Sequence, residues 1–117
     1  MVRLKNDKGH ISVSKDVFTN LVGVAATNCF GVKGMAMRSM SDGLVHLLKR
    51  ESMGKGVYVT YNDDDSISID LHIIVEQGVN IAALGESIIS EVSYKVNLAT
   101  GVEVRDVNIF VDSIIID

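Results

Sequence analysis

Residues 67 to 75 carry the most demanding pattern in this 117-residue chain: Ile67, Ile69, Leu71, Ile73 and Val75 share one parity, and Ser68, Asp70 and His72 share the other. Successive side chains of a strand point to opposite faces, so the alternation predicts a strand with one apolar and one polar face. The apolar face needs a covering layer, and two segments with helical periodicity can supply it. Within Lys15 to Cys29, behind Ser14 as a candidate cap, Val17, Phe18, Leu21, Val22, Ala25 and Cys29 recur at three- and four-residue spacing. After Asn80, a good cap residue, Ile81, Leu84, Ile88, Val92, Val96 and Ala99 form a longer stripe that stops at Gly101.

Glycine-marked turns set the order of the remaining elements. Gly31-Val32-Lys33-Gly34-Met35, Gly54-Lys55-Gly56-Val57 and Gly101-Val102-Glu103-Val104 each open a strand-like stretch: Val32 to Met37, Val57 to Tyr61 and Val104 to Ile116. Asn62-Asp63-Asp64-Asp65 is turn chemistry and predicts a hairpin between Val57–Tyr61 and the alternating strand. Ser39 and Asp42 form a capping signal that predicts a middle helix to about Arg50, with Leu44, Val45, Leu47 and Leu48 on its apolar side. Met1 to Lys8 reads as a short polar leader, and Gly9 to Val13 as a brief strand. The expectation is one α+β domain over residues 1–117, in the order β-α-β-α-β-β-α-β, with a mixed sheet and helices mainly on one face. Residues 9–37 and 66–112 each read as strand-helix-strand and suggest a degenerate internal repeat.

Composition narrows the partners. Hydrophobic residues make up 47% but aromatics only 5%, with no Trp, so the core is aliphatic and stacking platforms for bases are few. A net charge of -4 repels phosphate backbones, and nucleic acid is not an expected partner. One cysteine, Cys29, excludes an intramolecular disulfide, and no basic segment followed by an apolar run opens the chain, so the expected location is the cytoplasm. No stretch approaches the roughly 20 apolar residues that span a bilayer. Direct membrane insertion is not expected, and any membrane association would come through a partner.

The reactive side chains have ordinary readings. Cys29 lies near the C-terminal end of a helical stripe, where the helix dipole disfavours a thiolate, and reads as core packing. Asp63, Asp64 and Asp65 lack calcium-loop spacing, since the sixth and twelfth positions counted from Asn62 are Ile67 and Ile73. His10, His46 and His72 are scattered without ligand spacing. Gly31 to Gly34 is formally a GXXG loop of the kind that clamps RNA, but a strand rather than a helix is expected after it. No catalytic, cofactor-binding or metal-binding residue is assigned, and no cofactor is expected. Arg38, His46, Lys49, Arg50 and His72 are candidate partner contacts. The apolar end at Ile114 to Ile116 has no following element to cover it and no Pro or Lys to blunt an edge, so self-association is expected.

Taken in order, Gly9-His10-Ile11-Ser12-Val13, Ala25-Ala26, Gly31 to Met35, Gly54 to Val57, Gly78-Val79 and Gly101 to Ile109 resemble the alkaline shock protein family of Gram-positive bacteria, also called envelope stress response proteins. The resemblance covers nearly the whole chain. It implies a cytoplasmic, non-enzymatic protein of cell-envelope homeostasis that self-associates and docks on a small integral membrane anchor or a lipid-metabolism partner. The chain differs from longer members in lacking extended charged tails, and at Thr27-Asn28-Cys29-Phe30 it lacks the acidic residue often found before the turn. Two alternatives stand beside this reading: an RNA-binding module using the Gly31–Gly34 loop, and a carrier of a small apolar ligand.

Overall fold

The computed structural model describes residues 2–29, 31–38, 45–47 and 56–116. Its elements run β1 (Val2–Asn6), β2 (Gly9–Val13), α1 (Lys15–Thr27), β3 (Val32–Arg38), β4 (Val45–Leu47), β5 (Val57–Tyr61), β6 (Ile67–Glu76), α2 (Ile81–Thr100) and β7 (Val104–Ile115). The alternating segment is β6, and it is the axis of a mixed five-stranded sheet. One edge of β6 pairs in parallel with β7 along Ile67 to Glu76. The other edge is shared end to end by two antiparallel strands, β5 over Ile67 to Leu71 and β3 over Ile73 to Val75. The parallel neighbours β6 and β7 are joined through α2, as a crossover requires.

The α+β class and the mixed sheet form as expected, but the element order needs two corrections. Residues 1–8 are more than a polar leader, because Val2–Asn6 is a strand paired antiparallel with β2 in a separate two-stranded sheet. Its alternation explains this: Leu4 packs against the core between the outward Arg3 and Lys5. The middle helix expected over Ser39 to Arg50 falls mostly outside the described residues, and the part described is a strand. Val45–Leu47 forms β4, antiparallel to β3 with Ala36 opposite Leu47. A short apolar run fits either period, and here pairing with β3 decides it. β2 and β3 also lie in different sheets, so residues 9–37 do not close a strand-helix-strand unit like that of β6, α2 and β7, and the internal repeat is not formed.

Both helices lie over one face of the sheet, α1 against α2, β3 and β5, and α2 against β7. The core between the layers joins Phe18, Val22, Ala25 and Ala26 of α1, Leu84, Ile88, Val92 and Val96 of α2, and Ile67, Ile69, Leu71, Ile73 and Val75 of β6. Burying each of the larger aliphatic chains contributes about 1.5–3 kcal/mol. Both stripes are narrower than their periodicity suggested, since Val17 and Ile81 are exposed on the rims of the helical layer.

The helix ends differ in quality. Asn80 caps α2 through its side chain, which accepts from Ala83 N at 3.0 Å, and Gly101 ends the helix at φ 76°. Ser14 sits at the start of α1 without a side-chain capping bond, and α1 stops at Thr27, two residues before Cys29. Gly31, at φ 102°, then turns the chain into β3, and its carbonyl accepts from Glu76 N at 2.9 Å.

Candidate interaction surface

The face of the sheet turned away from the helices collects the second parity of three adjacent strands. β5 contributes Tyr58 and Thr60, β6 contributes Ser68, Asp70 and His72, and β7 contributes Asp106, Asn108, Phe110 and Asp112. Register aligns them in rows, with Tyr58 opposite Asp70, Ser68 opposite Asp106, Asp70 opposite Asn108, and His72 opposite Phe110.

Each polar row is closed by a cross-strand contact. Ser68 Oγ donates to Asp106 Oδ2 at 3.0 Å, Asn108 Nδ2 donates to Asp70 Oδ1 at 3.0 Å, and His72 Nδ1 lies 2.9 Å from Asp112 Oδ2. The His72 ring is held between two aromatic neighbours. It stacks on Phe110 with centroids 4.8 Å apart and planes 13° apart, and it meets Tyr58 edge to face at 5.5 Å and 87°. Tyr58 is 54% exposed and Phe110 45%, so an aromatic row crosses three strands in open view. The face is not uniform, because Ile74, beyond a register shift in the pairing with β7, is buried.

The sign of the surface follows from the strands themselves. Of the β5, β6 and β7 residues on this face, Asp70, Asp106 and Asp112 are acidic and none is Lys or Arg. Arg105 helps hold the Asp64 carboxyl below its usual range, after the larger effect of the hydrogen bonds from Ser66. Chemically, the surface offers ring faces and edges beside carboxylates that still have free lone pairs. Each ionised carboxylate can accept about four hydrogen bonds, more than the single cross-strand bond each receives here.

The other residues considered from sequence are dispersed. The Cys29 thiol donates to Ala25 O at 3.5 Å, and burial, then Glu91, push its pKa above the ordinary 9.0, which is the wrong direction for a nucleophile. Cys29 lines an open cleft of about 800 Å³ beside Glu76, Val79, Asn80 and Glu91, where the end of α1 meets the start of α2. Asp64 caps the β5–β6 hairpin, accepting from Ser66 N at 3.1 Å and from Ser66 Oγ at 2.6 Å. His10 is exposed on β2, and no three potential metal ligands converge among the described residues. Gly34 lies inside β3, so the Gly31–Gly34 string joins a helix to a strand. Of the candidate partner contacts, Lys49 and Arg50 lie outside the described residues. His72 stands in this surface. Sequence reading missed Tyr58, Phe110 and Asp112 as its neighbours; their parity was visible, but the parallel register that unites them was not.

Among the described residues no helix is long and apolar enough to cross a membrane. Comparison with known proteins places the chain. Residues 3–116 match the alkaline shock protein family, described by its cell envelope-related function. The chain is 34% identical to the uncharacterized protein YloU of Bacillus subtilis over 114 residues, covering 97% of this chain and 94% of that one. It is also 34% identical to the uncharacterized protein Spy1614 of Streptococcus pyogenes over 114 residues, covering 97% and 93%. A second Bacillus subtilis relative, YqhY, is 28% identical over 109 residues, covering 93% and 79%. No solved structure matches the chain. With the family covering nearly every residue and relatives aligned almost end to end, this chain belongs to the alkaline shock protein family of cell envelope-related function.

Proposed function

We propose that this protein is a non-enzymatic interaction module of cell-envelope homeostasis, which works in the cytoplasm, self-associates, and docks on a membrane-anchored or lipid-metabolism partner. The observation that carries the reading is the outer side of β7. This strand of 12 residues has no further strand beyond it among the described residues. Phe110 and Ile114 are exposed on it and Ile116 just after it, at 45%, 47% and 73%. An open edge of this length offers a row of backbone donors and acceptors to another chain. Two register shifts in the pairing of β7 with β6 twist the strand, and bulges of this kind restrain open-ended edge pairing. A limited assembly fits these features better than an unlimited one.

Sedimentation velocity at micromolar concentration tests self-association. A species larger than a monomer is expected, reduced toward monomer by Ile114→Lys with Ile116→Lys; a monomer at every concentration would remove that half of the proposal. Affinity capture from cells of a Gram-positive host, with membranes retained, tests docking. Co-purification of an integral membrane protein is expected, and recovery of the bait alone would argue against the membrane partner.

A further inference from the structure

We infer that the open sheet face is a docking surface for an extended, lysine- or arginine-bearing peptide segment of a partner, whose cations lie against Tyr58 and Phe110 and pair with Asp70 and Asp106. The inference rests on the reading above and names the surface and the chemistry of the partner.

Three occupants could use exposed rings on a flat sheet, and charge separates them. A single-stranded nucleic acid would stack its bases on Tyr58 and Phe110, but its phosphates would meet Asp70, Asp106 and Asp112, with no Lys or Arg among the β5, β6 and β7 residues of this face. A second copy of this chain would bring an equally acidic face, and like charges brought together across an interface disfavour that pairing. A basic segment meets both features favourably. Its cations are attracted to ring faces, and its N–H groups find carboxylates whose existing partners, Ser68 Oγ and Asn108 Nδ2, are neutral donors that leave the negative charge in place. The surface is also preorganised for this. His72 is fixed by Asp112 and by both rings, which holds the aromatic row in place without a partner present.

Sequence composition supports the choice of surface. In a chain with three Tyr and three Phe, Phe18 is fully buried and Tyr61 packs edge-on against it, whereas Tyr58 and Phe110 are spent on the uncovered face around one histidine. Membrane proteins carry an excess of Lys and Arg in the cytoplasmic segments that flank their spans, so a segment of this chemistry is what an anchor would present to a cytoplasmic module.

Fluorescence anisotropy with a labelled peptide of alternating lysine and serine, titrated with the full chain, tests the inference. Binding is expected at low salt and should weaken as added salt shortens the screening length. Tyr58→Ala and Phe110→Ala should each weaken it about two- to fivefold. Asp70→Asn combined with Asp106→Asn should weaken it more, and Asp70→Lys should abolish it, while Glu86→Gln on the opposite, helical side should leave it unchanged. Circular dichroism of each variant verifies folding, and the conservative Asn pair keeps the test valid if the charge reversal fails to fold. Equal binding by all variants, equal binding of a glutamate–serine peptide, or no binding at low salt would each overturn the inference. Capture of a membrane protein by the Asp70→Asn, Asp106→Asn variant at the level of the unmodified chain would overturn this surface while leaving the membrane-partner reading intact.

Discussion

The two faces of β6 are built from alternate residues of the same ten and are held by different forces. On the helical side, Ile67, Ile69, Leu71, Ile73 and Val75 are each at most 1% exposed, and their contribution is volume filled between layers. On the open side, Ser68, Asp70 and His72 are half-buried and held by reciprocal contacts with β7. A buried aliphatic side chain is supported by everything around it, so its removal leaves a cavity. A paired polar side chain at a surface can exchange its partner for water at little cost, and can equally exchange it for another molecule. Stability is therefore concentrated on one face, which leaves the other free to serve recognition.

Adjacent residues give the sharpest way to break this contrast. Leu71→Ala should cost about 2–5 kcal/mol, the range for buried leucine truncation. Against a typical total of about 5–15 kcal/mol, that would move the urea midpoint substantially or abolish folding. Asp70→Ala, one residue away, should cost no more than about 1 kcal/mol, the scale of one exposed hydrogen bond. Similar midpoints for the two variants would mean that the open face carries stability as well, and the division of labour argued above would be wrong.

Gly31 tests how firmly the helical layer is tied to the sheet. It follows α1 and opens β3 at φ 102°, and a Cβ built there would lie 2.8 Å from Val79 Cγ2. Gly31→Ala should therefore cost about 1–3 kcal/mol from backbone strain, with a further penalty from the overlap. In a Val79→Ala background the overlap term disappears while the strain stays. The double variant should accordingly be less destabilised than the sum of the singles, by a coupling of about 0.5–3 kcal/mol in a thermal or urea cycle. Strict additivity would mean that Val79 moves aside freely.

These variants also mark where the sequence was legible. Val75 and Leu71 announced themselves by parity, and Gly31 and Gly101 by the helix stripes they follow, because local conformation and burial leave a direct trace in residue type. The capping role of Asn80 was readable for the same reason, while Ser14 had the right chemistry and makes no capping bond. Val45 to Leu47 went wrong because so short a segment, with Val45 and Leu47 apolar around His46, fits either period and only the neighbour β3 settles the matter. Val2 to Asn6 reads as a polar leader because Arg3, Lys5 and Asn6 leave only Val2 and Leu4 apolar, and the pairing with β2 is what makes it a strand. The aromatic row was hidden for a deeper reason: Tyr58, His72 and Phe110 meet only when β5 pairs antiparallel and β7 parallel to one strand, and pairing register is a property of the sheet.

The helix ends supply a smaller contrast within the covering layer. Asn80→Ala removes an acceptor for Ala83 N and should destabilise by about 1 kcal/mol, whereas Ser14→Ala, with no capping bond to lose, should change stability by only about 0.3 kcal/mol or less. Chemical denaturation of both variants measures the difference. An equal loss at the two positions would show that Ser14 caps α1 in solution, and that both helices are anchored over the sheet in the same way.

The smallest expected effect lies at the exposed end of the β5–β6 hairpin, where the two faces meet. The Ser66 hydroxyl and then its backbone N–H hold Asp64 below the ordinary carboxyl value of 3.8, with Arg105 adding to the effect. A carboxyl whose pKa is lower in the folded chain favours folding above its unfolded value, and that contribution is lost as pH falls through the folded value. The stability difference between the unmodified chain and Asp64→Ala should thus be level from neutral pH down to about pH 5 and shrink below about pH 4. Because the carboxyl is fully exposed, the whole change should be small beside that of Leu71→Ala. Thermal melts at matched ionic strength would measure it. A difference that grew on acidification would mean that the charge of Asp64 opposes the fold, and that its bonds to Ser66 do not hold the hairpin as the structure shows.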